Sequence, residues 1–206
     1  LTANGGETRD ISVTRSTLNL NGTKVQATGA NGVHLSAGKA DITADSKIFS
    51  DRVGLSVSRD AAATQGSSAT VSDSFVSGGE TGVTVNALSD VTLVRTTVTG
   101  TGAEASGLRL FSGTATAIDS TITGNANGIE FNGDPVVNAP GTLVLNNTDV
   151  VGLSGSAIVV DTLSVGQVQA NISVLNGSTL SASNDILMDV RNGAEGNFHV
   201  GSSTLV

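Results

Sequence analysis

The residues whose types and spacing could do chemistry form a column of charges: Arg15, Asp45, Asp73, Arg95, Asp119 and Asn147, each three positions before a Val, Ile or Leu. Asp45 and Asp73, like charges in successive units, could hold Ca²⁺ or work as an acid and base pair. The competing reading is an exposed ladder in which Arg15 offsets Asp45 and Arg95 sits between Asp73 and Asp119, each pair worth at most about 1 kcal/mol. The ladder is favoured, because a calcium cage wants about six oxygens and the neighbouring guanidinium groups repel a cation. A serine-nucleophile triad is excluded: the chain has two histidines, His34 and His199, seven repeat units apart, and no glycine-rich nucleophile turn. Both histidines read as solvated surface residues. The glycine pairs in "SGGETG" (77–82) and "TGTG" (99–102) lack the following Lys-Ser/Thr and helix that a phosphate cradle needs, so they read as corners.

Composition closes further classes. A net charge of −8 with 10 Lys and Arg in 206 residues offers no basic stripe to displace counterions, so no nucleic-acid partner is expected. With no cysteine, disulfides, thiol nucleophiles and most zinc sites are gone, which suits a chain that crosses an oxidising compartment unfolded. No apolar run approaches the roughly 18 residues of a membrane span, so no direct membrane insertion is expected. Five Phe, no Trp and no Tyr leave Val, Ile, Leu and Ala to build the core, in regular layers.

The elements that must position these residues come from a repeat. Runs ending at Leu18, Ile48, Val76, Val98, Ile122, Val150, Leu180 and Leu205 share one pattern, about 22 to 30 residues apart. Five positions before each anchor stands Val13, Thr43, Val71, Leu93, Ala117, Leu145, Leu175 or Val200, predicted to point inward. Two before it runs an unbroken hydroxyl column, Ser16, Ser46, Ser74, Thr96, Ser120, Thr148, Ser178 and Ser203, suited to a bend. Two after it the residues shrink to Gly78, Gly100, Gly124, Gly152 and Ala182, a second corner. A further strand follows: "GVHL" from Gly32, "GLSV" from Gly54, "GVTV" from Gly82, "GLRL" from Gly107, "GIEF" from Gly128, "AIVV" from Ala157 and "DILM" from Asp185. The Asn-Gly in "GNANG" (124–128) is a hairpin signal taken alone. Here every unit repeats the same strand–corner–strand order, which demands same-sense stacking. The predicted fold is all-β: one parallel β-helix domain over 1–206 with about eight coils. The repeat still runs at Leu205 and the polar start offers no capping helix, so a piece of a longer rod is expected.

Ser/Thr-rich strands, glycine corners, no Cys and few aromatics, carried best by "DSTITGNANGIEF" and "RTTVTGTGAEASGLRL", resemble the pertactin-like passenger domains of bacterial autotransporters. The resemblance implies a right-handed single-stranded β-helix, in keeping with the preference for right-handed crossovers. It also implies secretion or display at the bacterial surface, held by a C-terminal outer-membrane barrel not contained in this segment, and a role in virulence as an adhesin or host-interaction rod. Capture of a host serum protein and a structural stalk are the neighbouring readings. Glycan-cleaving β-helix enzymes use clustered carboxylates and aromatic platforms. With Trp and Tyr both absent, no enzymatic activity and no cofactor are expected. The longest departures from the minimal coil are 58–69, 132–141 and 160–169. The second holds both prolines, which limit its conformations and lower the entropy lost on binding. The candidate binding residues are therefore Asn132, Gly133, Asp134, Pro135, Val136, Val137, Asn138, Ala139 and Pro140, with a host cell-surface or serum protein, or a second copy of the chain, as partner.

Overall fold

Alternation of apolar and polar residues in short runs dictates strands with one face inward, and the same order in every unit dictates that the strands stack in parallel. A computed structural model describes residues 2–4, 7–8, 10–134, 136–137, 139–162, 168–184 and 186–205. Among them there are 26 strands and no helix. They form three parallel sheets of nine, nine and eight strands. Sheet A runs from Thr2–Asn4 to Glu195–Val200, sheet B from Glu7–Thr8 to Thr204–Leu205, and sheet C from Ile11–Thr14 to Met188–Arg191. Each coil passes through A, B and C in turn, so the fold is a parallel β-solenoid. "GNANG" joins Thr121–Gly124 of sheet B to Ile129–Asn132 of sheet C, and each pairs in parallel with the coils before and after it. The chain goes onward there, as the repeat requires.

The core is a set of aliphatic ladders. Val25, Ile48, Val76, Val98, Ile122, Val150 and Leu180 stack in sheet B, each fully buried. Each such side chain contributes about 1.5–3 kcal/mol by leaving water. Phe131 is the one aromatic ring wholly inside. The A-to-B corner turns on a residue in the left-handed region: Gly22, Asp73, Arg95, Asp119 and Asn147 have φ of 56°, 47°, 47°, 50° and 49°. Asp and Asn tolerate this conformation; for Arg95 it costs about 1–2 kcal/mol. Behind it sits the hydroxyl column. Ser46 Oγ donates to Thr43 O (2.6 Å) and accepts the Thr23 amide (3.2 Å). Ser178 Oγ donates to Leu175 O (2.7 Å) and accepts the Thr148 amide (3.0 Å). The hydroxyls thus bond backbone and satisfy buried corner amides between coils. At the B-to-C corner glycine is required by close approach: a Cβ on Gly124 would stand 1.7 Å from the Asn127 carbonyl oxygen.

Three expectations need correction, all matters of register. The first anchor is Val25, not Leu18: Val25 pairs with Ile48, whereas Leu18 pairs with Ala40 in sheet A. "SVTRSTL" copies the repeat pattern but crosses from sheet C to sheet A. Thr23 therefore takes the place given to Ser16, Val13 lies in sheet C beside Leu35, and Arg15 leaves the charge column. Where the A-to-B corner carries one more residue, as at Ala44 and Asp45 or Asn176 and Gly177, all with positive φ, the inward positions are Ile42 and Val174 rather than Thr43 and Leu175. In the last full coil "DILM" slips by two: Met188 and not Ile186 pairs with Ile158. A slip of two keeps the same face inward, so alternation cannot detect it. Asp185 lies outside the described residues.

Candidate functional site

Two faces of the rod gather groups that could bind or react. The first is the outer face of sheet C, roofed by loops. Outward residues on a strand of a solenoid are normally wet. Here Ser56, Thr84, Glu130, Asn132 and Asp161 are all under a tenth exposed, and outward Val159 is fully buried. Loops 58–69 and 132–141 account for part of that cover. Asp134, with its side chain 2% exposed, receives Arg59 Nη2 at 3.2 Å and Nε at 3.3 Å. Its Oδ1 also accepts the amides of Val136 (2.8 Å) and Val137 (3.0 Å), an Asx turn that pre-shapes the loop. Burial pushes the Asp134 carboxyl up; the hydrogen bonds from Arg59 and the two amides outweigh it and hold the group below the usual carboxylate range. Asp60 anchors the other loop, accepting the Thr64 amide (2.8 Å), the Thr64 hydroxyl (2.8 Å), the Gln65 amide (3.1 Å) and Arg15 Nη2 (3.3 Å). These bonds, the Thr64 amide foremost, bring its pKa down to about 2.

The predicted binding loop is therefore stitched down along much of its length. Asn132 and Asp134 are buried; Gly133, Val137 and Ala139 are half-buried; Val136 (66% exposed) and Pro140 face solvent. Pro135 and Asn138 lie outside the described residues. Beside the loop, Glu130 accepts Ser106 Oγ (2.8 Å) and Arg109 Nη2 (2.8 Å) and Nε (3.0 Å). His34 is not the solvated residue expected. It is half-buried in the same face, its Nδ1 is 3.1 Å from Ser56 Oγ, and burial lowers its pKa. His199 is exposed on sheet A.

The second face is sheet B at its third, fourth and fifth strands, Lys47–Ser50, Phe75–Gly78 and Thr97–Gly100. A depression of about 600 Å³ is lined by Asp45, Lys47, Phe49, Asp73, Ser74, Phe75, Arg95 and Thr97. Residues flanking the inward anchors point out, so Phe49, one after Ile48, and Phe75, one before Val76, meet on the surface with ring centroids 5.4 Å apart and planes at 39°. Arg95 clasps Asp73 with two bonds, 2.6 and 2.8 Å, and lies above its ordinary range as Asp73 lies below. Lys47 Nζ is 3.4 Å from Asp45. The structure thus brings together three of the six residues of the charge column, Asp45, Asp73 and Arg95. Arg15 pairs with Asp60 elsewhere rather than offsetting Asp45, while Asp119 accepts from Asn147 Nδ2 at 2.7 Å further along the rod. Asp73 is the ionised partner of Arg95, not one of two carboxyls contending for a proton. Among the described residues no group of three His, Cys, Asp or Glu side chains gathers as a metal site.

No protein-family model matches the chain. No curated protein sequence matches it either. Among solved structures it is similar to the crystal structure of pectate lyase Pel9A, with a TM-score of 0.55 and 13% identity over 92% of this chain. The two share a fold. The chain spans 53% of the length of that enzyme.

The expectation that the chain lacks enzymatic activity is corrected on two counts. The same β-helix serves a pectate lyase, so the scaffold gives no ground for setting catalysis aside. The missing aromatic platform was inferred from absent Trp and Tyr, but Phe49 and Phe75 supply paired rings beside two carboxylates. That pair was open to discovery from the sequence, since the positions either side of each anchor must face out. Arg59 with Asp134 was not: 75 residues separate them, and no local pattern links the two loops.

Proposed function

We propose that the chain is a secreted or surface-displayed β-solenoid of the autotransporter-passenger kind that engages a host cell-surface or serum protein, acting as an adhesin or host-interaction rod. The observation that carries this reading is the loop roof on sheet C. The Arg59 and Asp134 pair ties two long loops from different coils into one surface, and the Asx turn at Asp134 fixes the backbone that presents Val136. A loop ordered before contact loses little entropy on binding, and an exposed valine on such a loop is a ready anchor for an apolar recess.

The test is saturable binding of the purified chain to host cells and to serum proteins, repeated with Val136→Glu. That substitution leaves the buried Asp134 contacts in place, whereas deleting 132–141 would strand Arg59. Binding that falls at least tenfold with an unchanged circular dichroism spectrum supports the reading. Absence of saturable binding, or binding indifferent to Val136→Glu, overturns it.

A further inference from the structure

The depression on sheet B rests on a different face from the loop roof and does not depend on that reading. We infer that it is a binding subsite for a neutral saccharide, with the Phe49 and Phe75 rings as the packing platform and the Asp45–Lys47 and Asp73–Arg95 pairs as the hydroxyl-reading rim.

Three features converge. Aromatics make up 2% of the chain, Phe131 is committed to the core, and yet two of the four other phenylalanines meet on an outer face where they stabilise no interior. Two rings side by side on the outer face of a parallel sheet, their planes at 39°, present an apolar surface of the kind that pyranose C–H faces cover, and the depression of about 600 Å³ has the size of small-ligand sites. The rim is polar on both sides of the hydrogen bond. Carboxylate oxygens accept, while ammonium and guanidinium N–H groups donate, which suits hydroxyls that do both at once.

Charge decides the class of sugar. The lining holds two acidic and two basic side chains, so the depression is formally neutral. Each cation already has a carboxylate against it, Arg95 in a two-bond clasp and Lys47 at 3.4 Å. A polyuronate would have to displace one of these carboxylates and then lie beside it. A neutral hexose needs neither, because a hydroxyl can accept from and donate to an ion pair without parting it. Peptides offering an apolar side chain are the remaining competitor for the rings, and the depression falls to them when no saccharide probe binds.

The test titrates the intact chain by isothermal calorimetry with three probes: a neutral β-linked glucose hexamer, a neutral mannose hexamer and a galacturonate hexamer. The expected result is saturable binding of at least one neutral hexamer, undiminished by moderate salt. Phe49→Ala and Phe75→Ala each weaken it about tenfold, while Phe75→Tyr, which keeps the platform, retains it. Both phenylalanines are half-buried on the outer face and outside the core ladders, and melting curves check that the variants fold. Val136→Glu leaves saccharide binding intact, which separates this site from the loop roof. Binding of the galacturonate alone, absence of binding by every probe, or binding indifferent to both alanine variants overturns the proposal.

Discussion

Sheets B and C are built from the same coils with the same spacing, yet their outer faces treat charge in opposite ways. On sheet B the Arg95 and Asp73 side chains are 56% and 52% exposed; over sheet C those of Arg59 and Asp134 are 14% and 2% exposed. The geometry of the first pair is the better one, with distances down to 2.6 Å. Water screens it nonetheless, and its net worth is small. The second pair has looser distances but no water to fall back on, so removing either partner strands a buried charge. What differs is the corner that follows. The two long loops that leave sheet C after Ser58 and Asn132 are tied together by Arg59 and Asp134, whereas sheet B is followed by short corners such as the one at Gly124.

The sharpest way to break this comparison is Arg59→Ala. It should cost about 3–5 kcal/mol in chemical denaturation, because Asp134 is left without its countercharge in a dry site. A loss below about 1 kcal/mol would mean that the roof opens freely and that the two faces are alike.

Next in size is Ser178→Ala, which removes the acceptor of the buried Thr148 amide. The expected loss is about 1–3 kcal/mol, read in the same unfolding measurement. It tests whether the corner that both faces share is as costly to disturb as the roof.

A pH titration sharpens the contrast further. Asp60 has a folded pKa of about 2 against an ordinary 3.8. Its contribution to stability is fully present above the ordinary value and is lost as pH falls from there through 2. The melting temperature should drop across that window, and Asp60→Asn should make the drop shallower. An unchanged slope in the variant would remove Asp60 from the account.

The smallest effect belongs to Arg95→Ala, expected to cost less than about 1 kcal/mol and to shrink in high salt. Alanine keeps the Cβ, so the left-handed strain at this corner is unchanged and adds nothing to the difference. A salt-insensitive loss above about 2 kcal/mol would show sheet B to be drier than its exposure indicates.

The stacking was legible in the sequence because a coil writes its inward residues at fixed offsets. Val76, Val98 and Ile122 fall under one another, as do Gly78, Gly100 and Gly124. Register failed where the pattern is mimicked or stretched. "SVTRSTL" has the right residue types at the wrong corner, and Ala44 with Asp45 adds a residue that alternation cannot count. The candidate site was half legible. Asp45, Asp73 and Arg95 were found from their column and do share one depression, but the two phenylalanines were passed over because aromatics were judged by total rather than by position. Loop 132–141 was found by its length. That its aspartate turns inward to an arginine from another coil depends on how two loops travel over a sheet, and no short-range pattern records that path.

The three edges of the rod differ in how much extra chain they hold. Between sheets A and B the strands are joined by two or three residues in every described coil, whereas between C and A the connections range from Thr14 to Thr17 up to Ser58 to Ser68. One edge therefore behaves as a keel and the opposite one as a docking rail. Because the hydroxyl column lies on the keel, a foreign segment placed between Ser36 and Lys39, or between Phe111 and Thr114, at the left-handed residues Ala37 and Ser112, would enter an edge already accustomed to insertions. Recognition can thus be rewritten, by evolution or by grafting, while the ladder that holds the coils together is left untouched.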